Sequence, residues 1–382
     1  MEIAVCIFKY FPFGGLERDC LQMAQECQKR GHKIRVYTFS WQGDIPDGFE
    51  VRIVTRKGLS SHSNAKSFSE WVKKDLKAEP VAAVFGVNRI EGLDVYFAGD
   101  NCIMEKGYAE RGFLYRLTPR FKVFTELEKA VFDKSLDTQI LYLAERQKKE
   151  YQKHYLTQDE RFHLMPAGIS VDRKRPANAE SIRMETRKTF GFSDSDKALI
   201  EVGSGYFRKG VDRVIISVAS LPEDIRNKTF YLVVGKEAKT DHFVKLAKEL
   251  KVEKQIIFLG GRKDVPQLLI ASDLMVHPAV DEATGTILME SLAAGLPVMC
   301  SATCGYACYI QKAKAGVVIP EPFKQEIFNE ELKKILTGTE LPQLAKNALT
   351  YAETSDELYS RPQRAADVIE EVIKRKGIGT RQ

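Results

Sequence analysis

The chain has 382 residues, 44% of them hydrophobic, and a formal net charge of +6. That length fits two or three domains, and the ordinary composition excludes a low-complexity polypeptide. No apolar run reaches the ~18 residues a membrane-spanning helix needs, and the charge suits any anionic partner without selecting one. Residues 3–8, Ile-Ala-Val-Cys-Ile-Phe, read as an apolar strand with no basic leader before them. Phe11-Pro12-Phe13-Gly14-Gly15 turns the chain. Residues 16–30 then carry Leu16, Cys20, Met23, Ala24 and Cys27 at helical spacing, and Gly31 stops that helix. Residues 33–39 alternate as the next strand. The result is a βαβ unit with Gly14 and Gly15 at the strand's C-terminal end, where open α/β sheets bind ligands. A turn that binds nothing is the plain alternative. Asp19, one helical turn further on, faces either that mouth or water.

The alternation continues with a helix around residues 68–77 and strands at 82–87, 95–98 and 140–144. Asp100 follows the second of these, again at the ligand edge of such a sheet. Residues 111–122, Arg-Gly-Phe-Leu-Tyr-Arg-Leu-Thr-Pro-Arg-Phe-Lys, hold four cations and no acid. Interleaved cations and aromatics (Arg111, Phe113, Tyr115, Arg116, Arg120, Lys122) attract anionic lipid. A packed helix pair is the alternative, and no nucleic-acid motif accompanies the charges. A helix begins near residue 145. The polar, Pro-containing residues 172–178 read as a linker. The expected domains are residues 1–170 and 171–355, with a last helix in 356–382 crossing back to the first domain.

The second half restarts the pattern, which points to a second Rossmann-like domain. A strand at 198–202 leads into Gly203-Ser204-Gly205-Tyr206-Phe207-Arg208-Lys209-Gly210 and a helix carrying Val214, Ile215 and Val218. A guanidinium fork beside an ammonium on a Gly-rich loop suits a diphosphate, whereas a solvated basic loop would bind nothing. Strands follow at 231–234 and at 256–259, the latter leading to Arg262. An apolar run at 274–279, containing His277, then opens residues 281–295, Asp-Glu-Ala-Thr-Gly-Thr-Ile-Leu-Met-Glu-Ser-Leu-Ala-Ala-Gly. Glu282 falls in the loop after the strand, Gly285 and Thr286 start a helix, and Glu290 lies within it. Free N–H groups at that helix start favour phosphate, and the two carboxylates suit sugar hydroxyls. Solvated acids on a helix end are the bland alternative. A strand at 297–301 and helices from residue 325 complete the chain, with Arg361-Pro362 breaking it before a helix at 363–374.

Some patterns are discounted. Asp194-Ser195-Asp196 has the spacing of metal-binding sugar transferases but precedes a strand, on the wrong edge, and reads as a turn. The seven cysteines are odd in number and scattered, which fits a reducing cytoplasm. Cys300, Cys304 and Cys308 lack a fourth zinc ligand and are expected to be buried. No histidine pair has metal-ligand spacing, so no metal is expected.

The ordered set Gly14-Gly15, Gly31-His32, Arg208-Lys209-Gly210 and Glu282 with Glu290 resembles glycosyltransferase family 4. Tyr10-Phe11-Pro12-Phe13-Gly14-Gly15, Gly92-Leu93-Asp94-Val95-Tyr96-Phe97-Ala98, Lys209-Gly210-Val211-Asp212-Arg213 and Cys304-Gly305-Tyr306-Ala307 are similar to members that build the lipopolysaccharide core. The resemblance covers nearly the whole chain. It implies an α/β GT-B fold, two Rossmann-like domains facing across a cleft, the first taking the acceptor and the second the nucleotide sugar. It implies retaining transfer of α-glucose from UDP-glucose to the first heptose of the inner core, without cofactor or metal, on the cytoplasmic face of the inner membrane. Glu282 would hold donor-sugar hydroxyls, Glu290 the ribose, and Arg208 with Lys209 the diphosphate. Gly14, Gly15, Gly203, Gly285 and Thr286 would line the donor, Arg262 the uracil, and Asp19 the acceptor. Asp100 stands where many members carry a His, which leaves its role open. A nucleotide-sugar epimerase and a non-catalytic nucleotide-sugar or lipid-surface binding protein remain as alternatives.

Overall fold

The computed structural model describes residues 1–12, 14–109, 111–238 and 240–377. Phe13, in the turn named above, lies outside the described residues. The chain divides into two compact units, one of Met1–Gly168 with the segment from Tyr359 onward, the other of Ile169–Leu358.

The first unit is built on seven strands: β1 (Glu2–Cys6), β2 (Lys33–Thr38), β3 (Phe49–Ile53), β4 (Ala83–Gly86), β5 (Val95–Phe97), β6 (Gln139–Tyr142) and β7 (Phe162–Leu164). All pair in parallel in the order β3-β2-β1-β4-β5-β6-β7. Side chains alternate across a strand, so a strand covered on both faces must be apolar throughout. In and just after β1, Ile3, Val5 and Ile7 join one core with Met23, Cys27 and Ile369. Ala4 and Cys6 enter another with Phe68, Phe132 and Tyr151.

The second unit has six strands: β8 (Lys197–Val202), β9 (Thr229–Val234), β10 (Ile256–Gly260), β11 (Leu274–His277), β12 (Val298–Ser301) and β13 (Gly316–Ile319). Their order, β10-β9-β8-β11-β12-β13, is again parallel. The winding reverses beside β8. The connections leaving β8 and β11 therefore part at the C-terminal edge, the place where such sheets open a ligand crevice.

Three strands carry too weak a pattern to be read from sequence. β3 (Phe-Glu-Val-Arg-Ile) is an edge strand whose residues are all at least partly exposed, β7 is three residues long, and β13 begins on a glycine. Pro362 sits in the first turn of the helix Arg361–Arg375. It starts that helix instead of breaking the chain ahead of it, because the first turn needs no proline N–H. Asp194 to Asp196 do form a turn, in which Asp196 Oδ2 accepts from the Ser193 amide at 2.6 Å.

The helix Arg361–Arg375 belongs to the first unit, and its first residue is a buried ion. Arg361 Nη1 donates to Asp19 Oδ2 at 2.6 Å, Nε donates to the Pro166 carbonyl at 2.9 Å, and Nη2 donates to the Ala167 carbonyl. Gly168 leaves the room this guanidinium fills. Removing one member of a buried, hydrogen-bonded pair strands the other, at about 3–5 kcal/mol. Arg361→Met should destabilise the first unit by that amount, and Asp19→Asn combined with it should restore part of the loss. Both tryptophans, Trp41 and Trp71, lie in this unit, so urea denaturation followed by tryptophan fluorescence measures it alone.

Candidate active site

The site is assembled from two loops of the second unit. After β8 the chain passes through Gly203, Ser204 and Gly205 into a single helical turn, Tyr206–Lys209, and then into the helix Val211–Ser220. Gly210 joins them at φ +75°, and a Cβ there would collide with the Pro278 carbonyl oxygen in the loop after β11. At Gly203 a Cβ would stand 2.6 Å from Lys209 Cε. Its bareness lets the lysine stem lie flat, and Lys209 is only 7% exposed.

After β11 the chain loops to Gly285, which caps the helix Thr286–Ala294 at φ +85°. That loop is tied on both sides. The Val280 amide donates to the Arg208 carbonyl at 2.8 Å, and the Gly305 and Tyr306 amides donate to the carbonyls of Glu282 and Thr284 at 3.2 and 2.8 Å. Cys304 pairs with Glu282 as an isolated parallel bridge. Glu282 is thereby delivered to the basic turn. Its Oε2 accepts from Arg208 Nη1 at 2.9 Å and from Lys209 Nζ. His277 Nε2 stands 3.8 Å from the same oxygen. Burial alone would raise the Glu282 carboxyl, but His277 and Lys209 outweigh it and hold the group down at about 2.

The sequence reading missed two members of this cluster. Glu201, near the end of β8, and His277, at the end of β11, are both fully buried, and His277 Nδ1 lies 2.8 Å from Glu201 Oε1. Burial opposes charge on the ring, yet Glu201 keeps its pKa well above the ordinary imidazole value. The signal was present in sequence as an ionisable residue within each of two otherwise apolar strands. Nothing in either strand alone said that the two would meet.

The structure gathers Arg208, Lys209, Glu282 and Gly203, with Gly285 and Thr286 on the same loop and helix start. Glu290 lies within that helix and borders a depression of about 240 Å³ whose wall includes Arg173, Lys174 and Gln267. Arg262 follows β10 and is held by Asp264 through two bonds, at 2.8 and 2.6 Å. Of the three cysteines expected to be buried, Cys308 is exposed. Among the described residues no group of three His, Cys, Asp or Glu side chains could hold a metal ion.

In the first unit, Gly14 caps the helix Gly15–Lys29, and a Cβ on Gly15 would meet open space. Asp100, after β5, is exposed, and its carbonyl accepts from Tyr151 Oη at 3.0 Å. Asp19, the expected acceptor residue, is paired within its own unit. Its carboxylate is engaged by Arg361, and any ligand would have to break that buried pair.

The basic segment forms the turn Phe113–Arg116 and the start of the helix Pro119–Phe132. Phe113, Leu114 and Leu117 are 64%, 79% and 53% exposed. Arg111 lies over the Tyr115 ring, Arg116 over Tyr108 and Arg120 over Phe124, at 4.7, 4.4 and 5.1 Å from their centroids. The segment is anchored through buried Glu128, which accepts from the Ile103 amide at 2.8 Å and from Tyr155 Oη at 2.7 Å. No helix among the described residues is long and apolar enough to cross a membrane.

Residues 182–352 match the family model described as glycosyl transferases group 1. Over 370 residues the chain is 46% identical to the lipopolysaccharide glucosyltransferase WaaG of Escherichia coli K12, covering 97% of this chain and 98% of that protein. The crystal structure of WaaG, a glycosyltransferase involved in lipopolysaccharide biosynthesis, superposes with a TM-score of 0.82 over 96% of this chain and 99% of that one. Anabaena HepE in complex with UDP-glucose, at 16% identity, shares the fold, with a TM-score of 0.68 over 99% and 100% of the two chains.

The Glu282 ion pairs have a defined pH signature. Their contribution is complete above the ordinary carboxyl value of 4.5 and is lost as pH falls towards the folded value of about 2. The shift corresponds to roughly 3 kcal/mol. Glu282→Gln should therefore be less stable than the wild type by about that amount near pH 6. The gap should close as the solution is acidified through this window, as followed by circular dichroism during denaturation.

Proposed function

The chain belongs to the glycosyl transferases of group 1, and on that premise we propose that it is a retaining glucosyltransferase of lipopolysaccharide biosynthesis. The donor is UDP-glucose, and the acceptor is the first heptose of the inner core. The observation that carries this reading is the convergence of Arg208 and Lys209 on Glu282 at the C-terminal edge of the second sheet.

Breaking a sugar–phosphate bond builds negative charge on the diphosphate and positive charge on the sugar ring. Fixed cations and dipoles are then most effective where the negative charge grows. Arg208 and Lys209 are the cations, and the Gly285–Thr286 helix start supplies N–H groups. In the free protein both cations are held by Glu282, so they are ordered before any ligand arrives. When the diphosphate takes them over, Glu282 is released to accept hydroxyl hydrogen bonds from the sugar, on the side where positive charge develops. Glu290 takes the ribose hydroxyls and Arg262 lies by the uracil. Retention follows from attack on the face the diphosphate leaves, with the leaving phosphate taking the acceptor proton. This scheme uses the protein's own cations in place of a metal.

The acceptor is carried by a membrane lipid, which gives the basic segment its task. Arg111, Arg116, Arg120 and Lys122 draw the protein to an anionic bilayer, and the exposed Phe113, Leu114 and Leu117 enter its surface. The working location is thus peripheral, on the cytoplasmic face of the inner membrane. Asp100 and the Gly14-Gly15 turn lie at the C-terminal sheet edge of the first unit, where the reading places the acceptor and part of the donor.

UDP release from UDP-glucose, measured with and without heptosylated core acceptor, tests the activity. Acceptor-dependent release supports transfer, and release that ignores the acceptor refutes it. Lys209→Ala should remain folded and lose about 10²–10³-fold in turnover, the scale of one charge-stabilising group. Each basic residue near an anionic bilayer contributes about 1 kcal/mol. Changing Arg111, Arg116, Arg120 and Lys122 together to Gln should therefore nearly abolish co-sedimentation with anionic vesicles in moderate salt. Soluble UDP release should survive this change, because Arg208, Lys209 and Glu282 are untouched. Undiminished sedimentation would show that lipid is met by another surface.

A further inference from the structure

Glu201 and His277 are the unexplained pair. Both are fully buried at the ends of neighbouring strands, among Ile, Leu and Val. A buried ion pair is a poor way to stabilise a core, since apolar residues of similar volume serve as well or better. Yet this one is incompletely satisfied. Neither His277 Nε2 nor the second oxygen of Glu201 has a hydrogen-bond partner within the described residues. The ring bonds Glu201 on one side. On the other, Nε2 faces Glu282 at 3.8 Å, too far for a hydrogen bond but close enough for charge attraction.

We propose that His277 is a positioning residue for the transfer reaction: held as an imidazolium by Glu201, it fixes the Glu282 carboxylate so that Arg208 and Lys209 can leave it for the donor diphosphate. This deepens the donor-site reading above and rests on it. When the two cations turn to the phosphates, Glu282 would otherwise be left as a largely buried, unpaired anion, a costly state. The charged ring compensates it from beneath. It also sets the charge balance of the site. The ring's proton adds one positive charge to those of Arg208 and Lys209, and loss of the proton removes it.

The titratable groups facing the ring are few. Glu201 approaches from β8, and Glu282 from the loop after β11 brings Lys209 and Arg208 with it. Cys304, whose thiol is close to Ser301 Oγ and the His277 carbonyl, faces it from beyond β12, with Cys300 beside it. The Cys304 thiol is pulled down to about 5, first by its hydrogen bond with Cys300 and then by His277, against the effect of burial. A Cys304 thiolate could replace the charge of Glu201, so the informative variant is Glu201→Gln combined with Cys304→Ala.

Two measurements on the full-length protein test the proposal. Imidazole NMR titration should show the wild-type His277 ring still protonated well above the ordinary imidazole range, while the ring of the double variant loses its proton at a clearly lower pH. In the acceptor-dependent UDP-release assay, kcat/KM for UDP-glucose in the double variant should lie near the wild-type value at about pH 5.5. It should be about tenfold lower at pH 8, because the ring loses its proton as pH rises. A role confined to packing would lower activity by the same factor at every pH. Glu201→Gln alone covers the case in which the double variant does not fold: its His277 ring should lose its proton at a lower pH than the wild-type ring, because Glu201 is the first charge holding that proton. A wild-type ring that is neutral at pH 7, or a variant-to-wild-type activity ratio that is constant with pH in the double variant, overturns the proposal. The ring titration needs no donor. A chain that is inert towards UDP-glucose but shows the expected titration would overturn the donor reading while supporting the Glu201–His277 charge pair.

Discussion

One carboxylate oxygen, Glu282 Oε2, receives Arg208 and Lys209 from a turn 74 and 73 residues away in sequence. Much of the second unit can be understood as the means of making that meeting possible. The reversal of winding beside β8 brings two connections to one edge and then parts them. Gly203 makes room for the lysine stem and Gly210 for the Pro278 carbonyl. Cys304, Gly305 and Tyr306 hold the carboxylate's loop from the far side through main-chain bonds. A lysine 7% exposed is tolerable only because its charge is matched.

This arrangement is electrostatic preorganisation in the literal sense. On the proposed reading, the cations are ordered before substrate arrives, so little reorganisation is left for the moment of bond breaking. The carboxylate that orders them is itself held ionised by the groups around it. Behind it lie His277 and Glu201, continuing the alternation of charge into the sheet. If these residues bind the donor as proposed, stability and function share the same atoms, as is common where buried charges are kept in preference to apolar packing.

The first unit uses buried charge for a different purpose. Arg361 ties the final helix to Asp19 and to two main-chain carbonyls. Glu128, with Arg89 at 3.3 Å, caps the start of the helix Ile103–Ala109. The second of these anchors the base of the segment that presents Phe113, Leu114 and Leu117 to solvent. The base of the segment is buried, and its apolar and cationic tip is exposed.

The alternation of apolar strands and amphipathic helices, restarted midway along the chain, was enough to determine two parallel α/β units, because that periodicity is local; the GT-B class came from the family resemblance. Arg208, Lys209 and Glu282 were also legible, since each sits beside a glycine-marked turn at a strand's C-terminal end. Three strands escaped because they are short, marginal or exposed. Asp19 shows the limit of position as evidence. It stands near the sheet edge in sequence, but the sequence does not show that Arg361, 342 residues away, pairs with it. Glu201 and His277 show the converse. Each is a single polar residue in an apolar strand, and only the crossover that sets β8 against β11 turns them into a pair facing Glu282. Sequence decided which residues could carry charge to the sheet edge. The strand order decided which charges meet, because Coulomb attraction depends on distance in space and a parallel crossover separates that from distance along the chain.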